Sequence, residues 1–129
     1  MEIKKIKQDL LIQNNLKESE TYFAIIDGKK SSTVTDFMNE MKNEFNFPKY
    51  YSGNLNSFLE IMNDLSWLDS SNYITIIVNS NYFLINESFL SQNKLKELLA
   101  KIADEWIHVP NFENEEEYRK KSIFLIEYY

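Results

Sequence analysis

Three short apolar runs alternate with stretches of helical periodicity, and this alternation limits the folds open to the chain more than any other feature. The runs cover residues 22–26, 73–78 and 123–127. The middle run, Tyr-Ile-Thr-Ile-Ile-Val, is dense in β-branched residues, which suit a pleated strand better than a helix. Asp27-Gly28 closes the first run with a turn signal. Between the runs, Val34, Phe37, Met38, Met41 and Phe45 recur at helical spacing, with Thr33 and Thr35 as candidate caps. Leu95, Leu98, Leu99, Ile102 and Trp106 repeat the pattern and predict a helix from Asn93 onward. Strands separated by helices pair in parallel, because only a crossover returns the chain to the same end of a sheet. The expected class is therefore α/β.

The remaining segments are less decisive. Ile3, Ile6, Leu10 and Ile12 predict a short amphipathic helix over residues 3–14, with its lysines outward. Residues 82–90 are too apolar for an exposed loop and too irregular for a clear helix. Trp67 and Leu68 read as core anchors in the connector 66–72, and residues 110–118 as a polar, acidic connection. At 129 residues and 43% hydrophobic, the chain is long enough to bury one core. It has no cysteine, hence no disulfide framework. Its start lacks the apolar run of a signal peptide, and no stretch reaches the roughly 20 apolar residues of a membrane span. A cytoplasmic protein without membrane contact is expected. The net charge of −6 disfavours direct nucleic-acid binding, which relies on lysine and arginine, and favours a basic partner.

Residues 47–68, FPKYYSGNLNSFLEIMNDLSWL, join an aromatic turn to another amphipathic helix. Pro48 ends what precedes it, Gly53 frees the turn, and Asn54 caps a helix beginning near Leu55. At about 100° per residue, Leu55, Phe58, Ile61, Met62 and Leu65 fall on one side, with Leu59 at its edge. Asn56, Glu60, Asn63 and Asp64 fall on the other. One face should pack on the core; the other shows carboxylates and amides but no basic side chain, beside Tyr50 and Tyr51.

Catalytic chemistry finds little support. One histidine and no cysteine leave the usual zinc ligand sets empty. Glu113, Glu115, Glu116 and Glu117 lack the spacing of a calcium loop. Two glycines cannot build a phosphate loop, and Ser52-Gly53 lacks the preceding glycine of a nucleophile elbow. His108 has no recognisable nucleophile to serve. Glu60 and Asp64, at i and i+4, share one helix face, whereas the opposing carboxylates of hydrolases approach from separate elements. The expectation is a protein that is not an enzyme and needs neither metal nor cofactor.

The order Pro48, Tyr50-Tyr51, Asn54-Leu55, Phe58, Glu60 and Asp64-Leu65 resembles the signature segment of the barstar family, small intracellular inhibitors of bacterial ribonucleases. The resemblance extends over roughly residues 21–129. Residues 23–28 resemble the family's first strand and turn, 34–45 its first helix, 95–106 its last helix and 123–127 its closing strand. It implies a three-stranded parallel sheet flanked by helices in a domain of residues 19–129, with residues 1–18 as an N-terminal helical extension. It also implies a partner, a basic ribonuclease or nuclease toxin domain, bound by a protein that is a monomer when free and acts as an immunity protein. Carried over by position, Tyr50, Asn54, Asn56, Leu59 and Glu60 form the contact strip, with Tyr51 more structural. Asn63 and Asp64 extend the strip and Glu105 adds a second acidic contact. Glu60 matches the acidic position that stands in for a substrate phosphate. The chain departs from the familiar pattern in three places. Asn56 replaces one aspartate, Leu59 stands where a tryptophan is familiar, and the turn reads Ser52-Gly53 instead of glycine first. A barstar-like interaction module with a non-nuclease partner is the alternative reading.

Overall fold

The computed structural model describes residues 2–108 and 122–129. Its elements follow the order α1 (Ile3–Gln13), β1 (Thr21–Asp27), α2 (Val34–Glu44), α3 (Leu55–Met62), β2 (Asn72–Val78), α4 (Phe89–Ile107) and β3 (Phe124–Tyr128). The strands form one parallel sheet in the order β1-β2-β3, with Tyr22 opposite Tyr73 and Tyr73 opposite Phe124. This is the expected α/β architecture of a three-stranded parallel sheet flanked by helices. Each strand lies within one residue of the run that predicted it.

β2 is central, and five consecutive residues, Tyr73–Ile77 by number 73–77, are buried on both faces. That explains why its sequence is a continuous apolar run instead of an alternating one. On one face, Tyr73 and Ile77 join Phe37, Met41, Phe58, Met62, Leu99, Ile102 and Trp106 from α2, α3 and α4 in the main core. On the other, Ile74 and Ile76 pack against Ile6 and Leu10 of α1. The N-terminal helix is thus the cover of the second sheet face. Ile12, expected on the packed side of this helix, is 79% exposed; Leu11 is buried in its place.

The central strand also holds one polar group at odds with its surroundings. Thr75 is fully buried, and its hydroxyl has no hydrogen-bond partner. An unmet buried hydroxyl costs free energy that an isosteric methyl does not. Thr75→Val is therefore expected to raise stability by about 1–2 kcal/mol, read as a higher urea midpoint at unchanged slope. A lower midpoint would show that the hydroxyl is satisfied in solution.

Close packing holds the strand ends and edges. A Cβ on Gly28 would lie 2.2 Å from the Asn79 carbonyl oxygen, so the turns after β1 and β2 meet only because position 28 lacks a side chain. On the outer edge of β1, the Glu44 carboxylate accepts the Ile25 N–H at 2.7 Å, and the Tyr22 hydroxyl donates to the Glu44 carbonyl. The C-terminal end of α2 thereby occupies an edge that would otherwise offer free backbone groups.

Several local expectations shift. Thr33, not Thr35, caps α2, accepting the Asp36 N–H at 3.1 Å. α4 starts at Phe89, four residues before the expected Asn93, because Ser88 caps it by accepting the Ser91 N–H. Residues 82–90 therefore divide between a tight turn, Ser80–Tyr82 with its continuation, and the first turn of α4. α3 ends at Met62, so Asp64 and Leu65 lie in the following turn and not on the helix. Leu55, expected on the core face, is 44% exposed. The acidic connection 110–118, with Glu113, Glu115, Glu116 and Glu117, lies outside the described residues.

Candidate functional site

The site begins with a turn held down by aromatic packing. Phe47 meets Tyr51 edge-on at 4.9 Å between ring centres and contacts Phe58 and Trp67 at 6.1 and 6.3 Å. The Trp67 indole N–H donates to the Phe45 carbonyl at 2.8 Å, tying the connector after α3 to the end of α2. Tyr51 is consequently half-buried, and burial pushes its phenol above the ordinary value. Its neighbour Tyr50 points away from this cluster and is 67% exposed. The division between a structural Tyr51 and an outward Tyr50 is a consequence of which ring Phe47 can reach.

Gly53, at φ +83°, turns the chain into α3. The Asn54 side chain accepts the Ser57 N–H at 2.8 Å, and the Ser57 hydroxyl accepts the Ser52 N–H at 3.1 Å. The first bond satisfies a helix-start donor, and the second ties the turn to the helix. Asn54 is exposed, with its carbonyl oxygen committed to the cap.

The far end of α3 is fixed as firmly. The Leu59 carbonyl accepts both the backbone and side-chain N–H groups of Asn63, at 3.1 and 2.9 Å. The Ile61 carbonyl accepts from Asp64 and Leu65. The Met62 carbonyl accepts the indole N–H of Trp106, 44 residues away on α4, at 2.8 Å. The carbonyls that a helix end leaves without intrahelical partners are thus met by its own turn and by a neighbouring helix. Leu65 closes the helix at φ +51° with its side chain fully buried, a backbone state uncommon for leucine.

Between these ends lies a polar strip. Asn56 and Glu60 are exposed on α3, and Leu59, Asn63 and Asp64 are half-buried. Asp64 accepts the Ser66 N–H at 3.3 Å through one oxygen, while the other lies 3.4 Å from the Tyr50 hydroxyl. Desolvation first, then the charge and hydrogen bond of Asp64 and the charge of Glu60, hold the Tyr50 phenol above its ordinary value. Tyr50 and Asp64 therefore meet, although Asp64 comes from the turn and not from the helix, and Glu60 stands exposed on α3. Glu105 is half-buried on α4, next to the Trp106 that docks on Met62.

This surface can present carboxylates, amides and a phenol to a cationic partner. Hydrolytic chemistry finds no support in it. His108, the only histidine, sits at the exposed end of α4, 3.1 Å from the carboxylate of Asp104 on its own helix. Among the described residues, no cluster of histidine, cysteine or carboxylate side chains could hold a metal ion. No helix among them is long and apolar enough to cross a membrane. Sequence reasoning missed the exposure of Leu55 and the closure of α3 by Trp106. No local pattern signals either one.

The family model described as barstar (barnase inhibitor) matches residues 21–126. The match opens on the first residue of β1 and leaves α1 outside it. No curated protein matches the chain.

Proposed function

Because the chain belongs to the barstar family, we propose that it inhibits a basic ribonuclease, or the ribonuclease domain of a toxin, by covering the active site with α3 and the turn before it. The observation that carries this reading is the Tyr50–Asp64 contact beside α3, which carries the exposed Glu60 and is fixed at both ends. In this reading Glu60 occupies the place of a substrate phosphate and takes charge-assisted hydrogen bonds from arginine, lysine or protonated histidine. Tyr50 supplies a rigid aromatic contact, as tyrosine does at many interfaces. Asn54, Asn56, Leu59, Asn63, Asp64 and Glu105 border these two. The protein acts stoichiometrically in the cytoplasm, as an immunity protein without catalysis of its own, and is a monomer when free.

Pre-organisation supports the assignment. A strip whose turn, helix start and helix end are already hydrogen-bonded loses little conformational entropy on binding. The negative net charge supports it too, through steering toward a basic cleft.

The test is capture. The protein is immobilised and offered a panel of barnase-type ribonucleases, and RNA hydrolysis is followed as inhibitor is titrated. Stoichiometric loss of activity is expected for at least one enzyme. Failure to retain any ribonuclease would favour an interaction module with a non-nuclease target, a reading motivated by Asn56 and Leu59 standing where an aspartate and a tryptophan are familiar.

A further inference from the structure

The sheet has two outer edges, and the chain treats them differently. On β1 the outward Ile25 N–H is taken by the Glu44 carboxylate at 2.7 Å. On β3 the ladder to β2 fixes which groups point outward. The Tyr73 N–H donates to the Ile123 carbonyl at 2.9 Å, and the Tyr129 N–H to the Ile77 carbonyl at 2.8 Å. Odd-numbered residues of β3 therefore turn their backbone groups toward β2, and Phe124, Ile126 and Tyr128 turn theirs away from it. Among the described residues, nothing hydrogen-bonds to these outward groups.

The two faces beside this edge differ as well. On the α4 face, Phe124, Ile126 and Tyr128 line a cavity of about 340 Å³ with Leu99, Ala100 and Ala103. The two alanines leave space that larger side chains would fill. Lys96 closes one end, its ammonium 5.9 Å from the centre of the Tyr128 ring. On the α1 face, Leu125 packs on the second core, and Glu127 follows on the same side. Asp9 of α1 lies nearby: desolvation first, then the charges of Glu127 and Asp9, hold the Tyr129 phenol above its ordinary value.

Each of these features narrows the occupant. Outward backbone groups at every second residue are met by another strand. A strand on this edge sends alternate side chains to opposite faces. One set enters the cavity beside Ile126, which calls for apolar residues. The other set emerges beside Glu127 and Asp9, which calls for lysine or arginine. A second copy of the chain fits poorly. Its β3 would bring another Glu127 and Asp9 to the same place, between two molecules of net charge −6.

We infer that the outer edge of β3 binds an extended segment of a partner protein, added as a fourth strand, in which apolar residues alternate with lysine or arginine. The groove lies on a different face of α4 from the one turned to Leu55 of α3. The segment can therefore bind while the α3 strip is occupied, and the inference stands independently of the ribonuclease reading.

The test uses the isotope-labelled full chain and three blocked octapeptides. One alternates valine and lysine, one has the same composition with like residues in pairs, and one alternates valine and glutamate. Amide exchange is followed residue by residue. In the free protein the Ile126 and Tyr128 N–H groups should exchange fast and that of Glu127 slowly. The alternating valine–lysine peptide is expected to slow exchange at Ile126 and Tyr128 by at least about tenfold, and the other two peptides to leave it unchanged. Ile126→Pro removes an outward donor, which an edge strand tolerates. Ala100→Trp fills the cavity from an exposed helical position and leaves the strand intact. Each should abolish the protection of Tyr128, and Ala100→Trp alone decides the matter if Ile126→Pro does not fold. Equal protection by the paired peptide, or protection by none of the three, would overturn the proposal. So would outward amides already slow in the free protein, which would mean an edge covered within the chain. Slowing that grows with protein concentration alone would assign the edge to a second copy and overturn it too.

Discussion

Glu60→Gln is expected to cost the ribonuclease complex about 2–5 kcal/mol, mostly through faster dissociation. The substitution keeps nearly the same side-chain volume and removes only the charge. In the free protein Glu60 is exposed, so stability should hardly change. In the proposed complex it would be desolvated opposite cations, and a glutamine would leave those cations buried without a counter-charge. Most of the loss is therefore the cost of the partner's unpaired charge. Lys49, exposed on the preceding turn, supplies the control. Lys49→Gln should leave dissociation almost unchanged, and can speed association by removing a charge that repels a basic enzyme. Association of the wild type should slow as salt screens the attraction. Equal affinities for wild type and Glu60→Gln would remove phosphate mimicry by this helix.

The second large effect concerns stability and not binding. Leu10→Ala should destabilise the fold by about 2–5 kcal/mol, the range for truncating a buried leucine. Leu10 is only 2% exposed and packs with Ile6 on Ile74 and Ile76. Its neighbours belong to a sheet and a helix that cannot easily collapse into the space. Inhibition, measured where the variant is folded, should survive, because α1 covers one face of the sheet while α3 packs in the core on the other. Folded Leu10→Ala protein that no longer inhibited would place α1 in the interface. A denaturation midpoint equal to wild type would mean that α1 does not seal the sheet in solution. The family match begins only after α1, and the packing of this helix on the sheet is what gives it a structural role.

Much of this arrangement was legible in the chain, and the exceptions have physical reasons. β2 and the stripes of α2 and α4 were readable because they are buried throughout or along one face, so burial leaves a local period. The start of α4 was not: Phe89 and Leu90 are exposed, and apolar residues on the outer side spoil the period they occupy. Periodicity places Asp64 on a helix that stops two residues earlier, because the stop is made by Leu65 at positive φ, where glycine or asparagine is the usual signal. Leu55 lay on the correct side of its helix, but an angle on a wheel cannot say whether a neighbour reaches it. In the candidate site, the Asn54 cap was legible from residue type, and the strip followed from periodicity together with the family resemblance. Two adjacent tyrosines carry no local signal for which is outward. The contact of Phe47 with Tyr51 decides it, and that contact depends on the tertiary position of Phe58 and Trp67.

The chain's two tryptophans flank α3, and each spends its indole N–H on a backbone carbonyl, Trp67 on Phe45 and Trp106 on Met62. Trp106 also lies 5.3 Å from the ring of Tyr73, close enough for a tyrosine donor to pass excitation to it. The intrinsic fluorescence of the protein is therefore a readout of how α3 is seated. Seating that helix requires the N-terminal half of the chain through Phe45 and the last turn of α4 at the same time. Emission should accordingly turn native-like only when α3 is seated between the end of α2 and the last turn of α4.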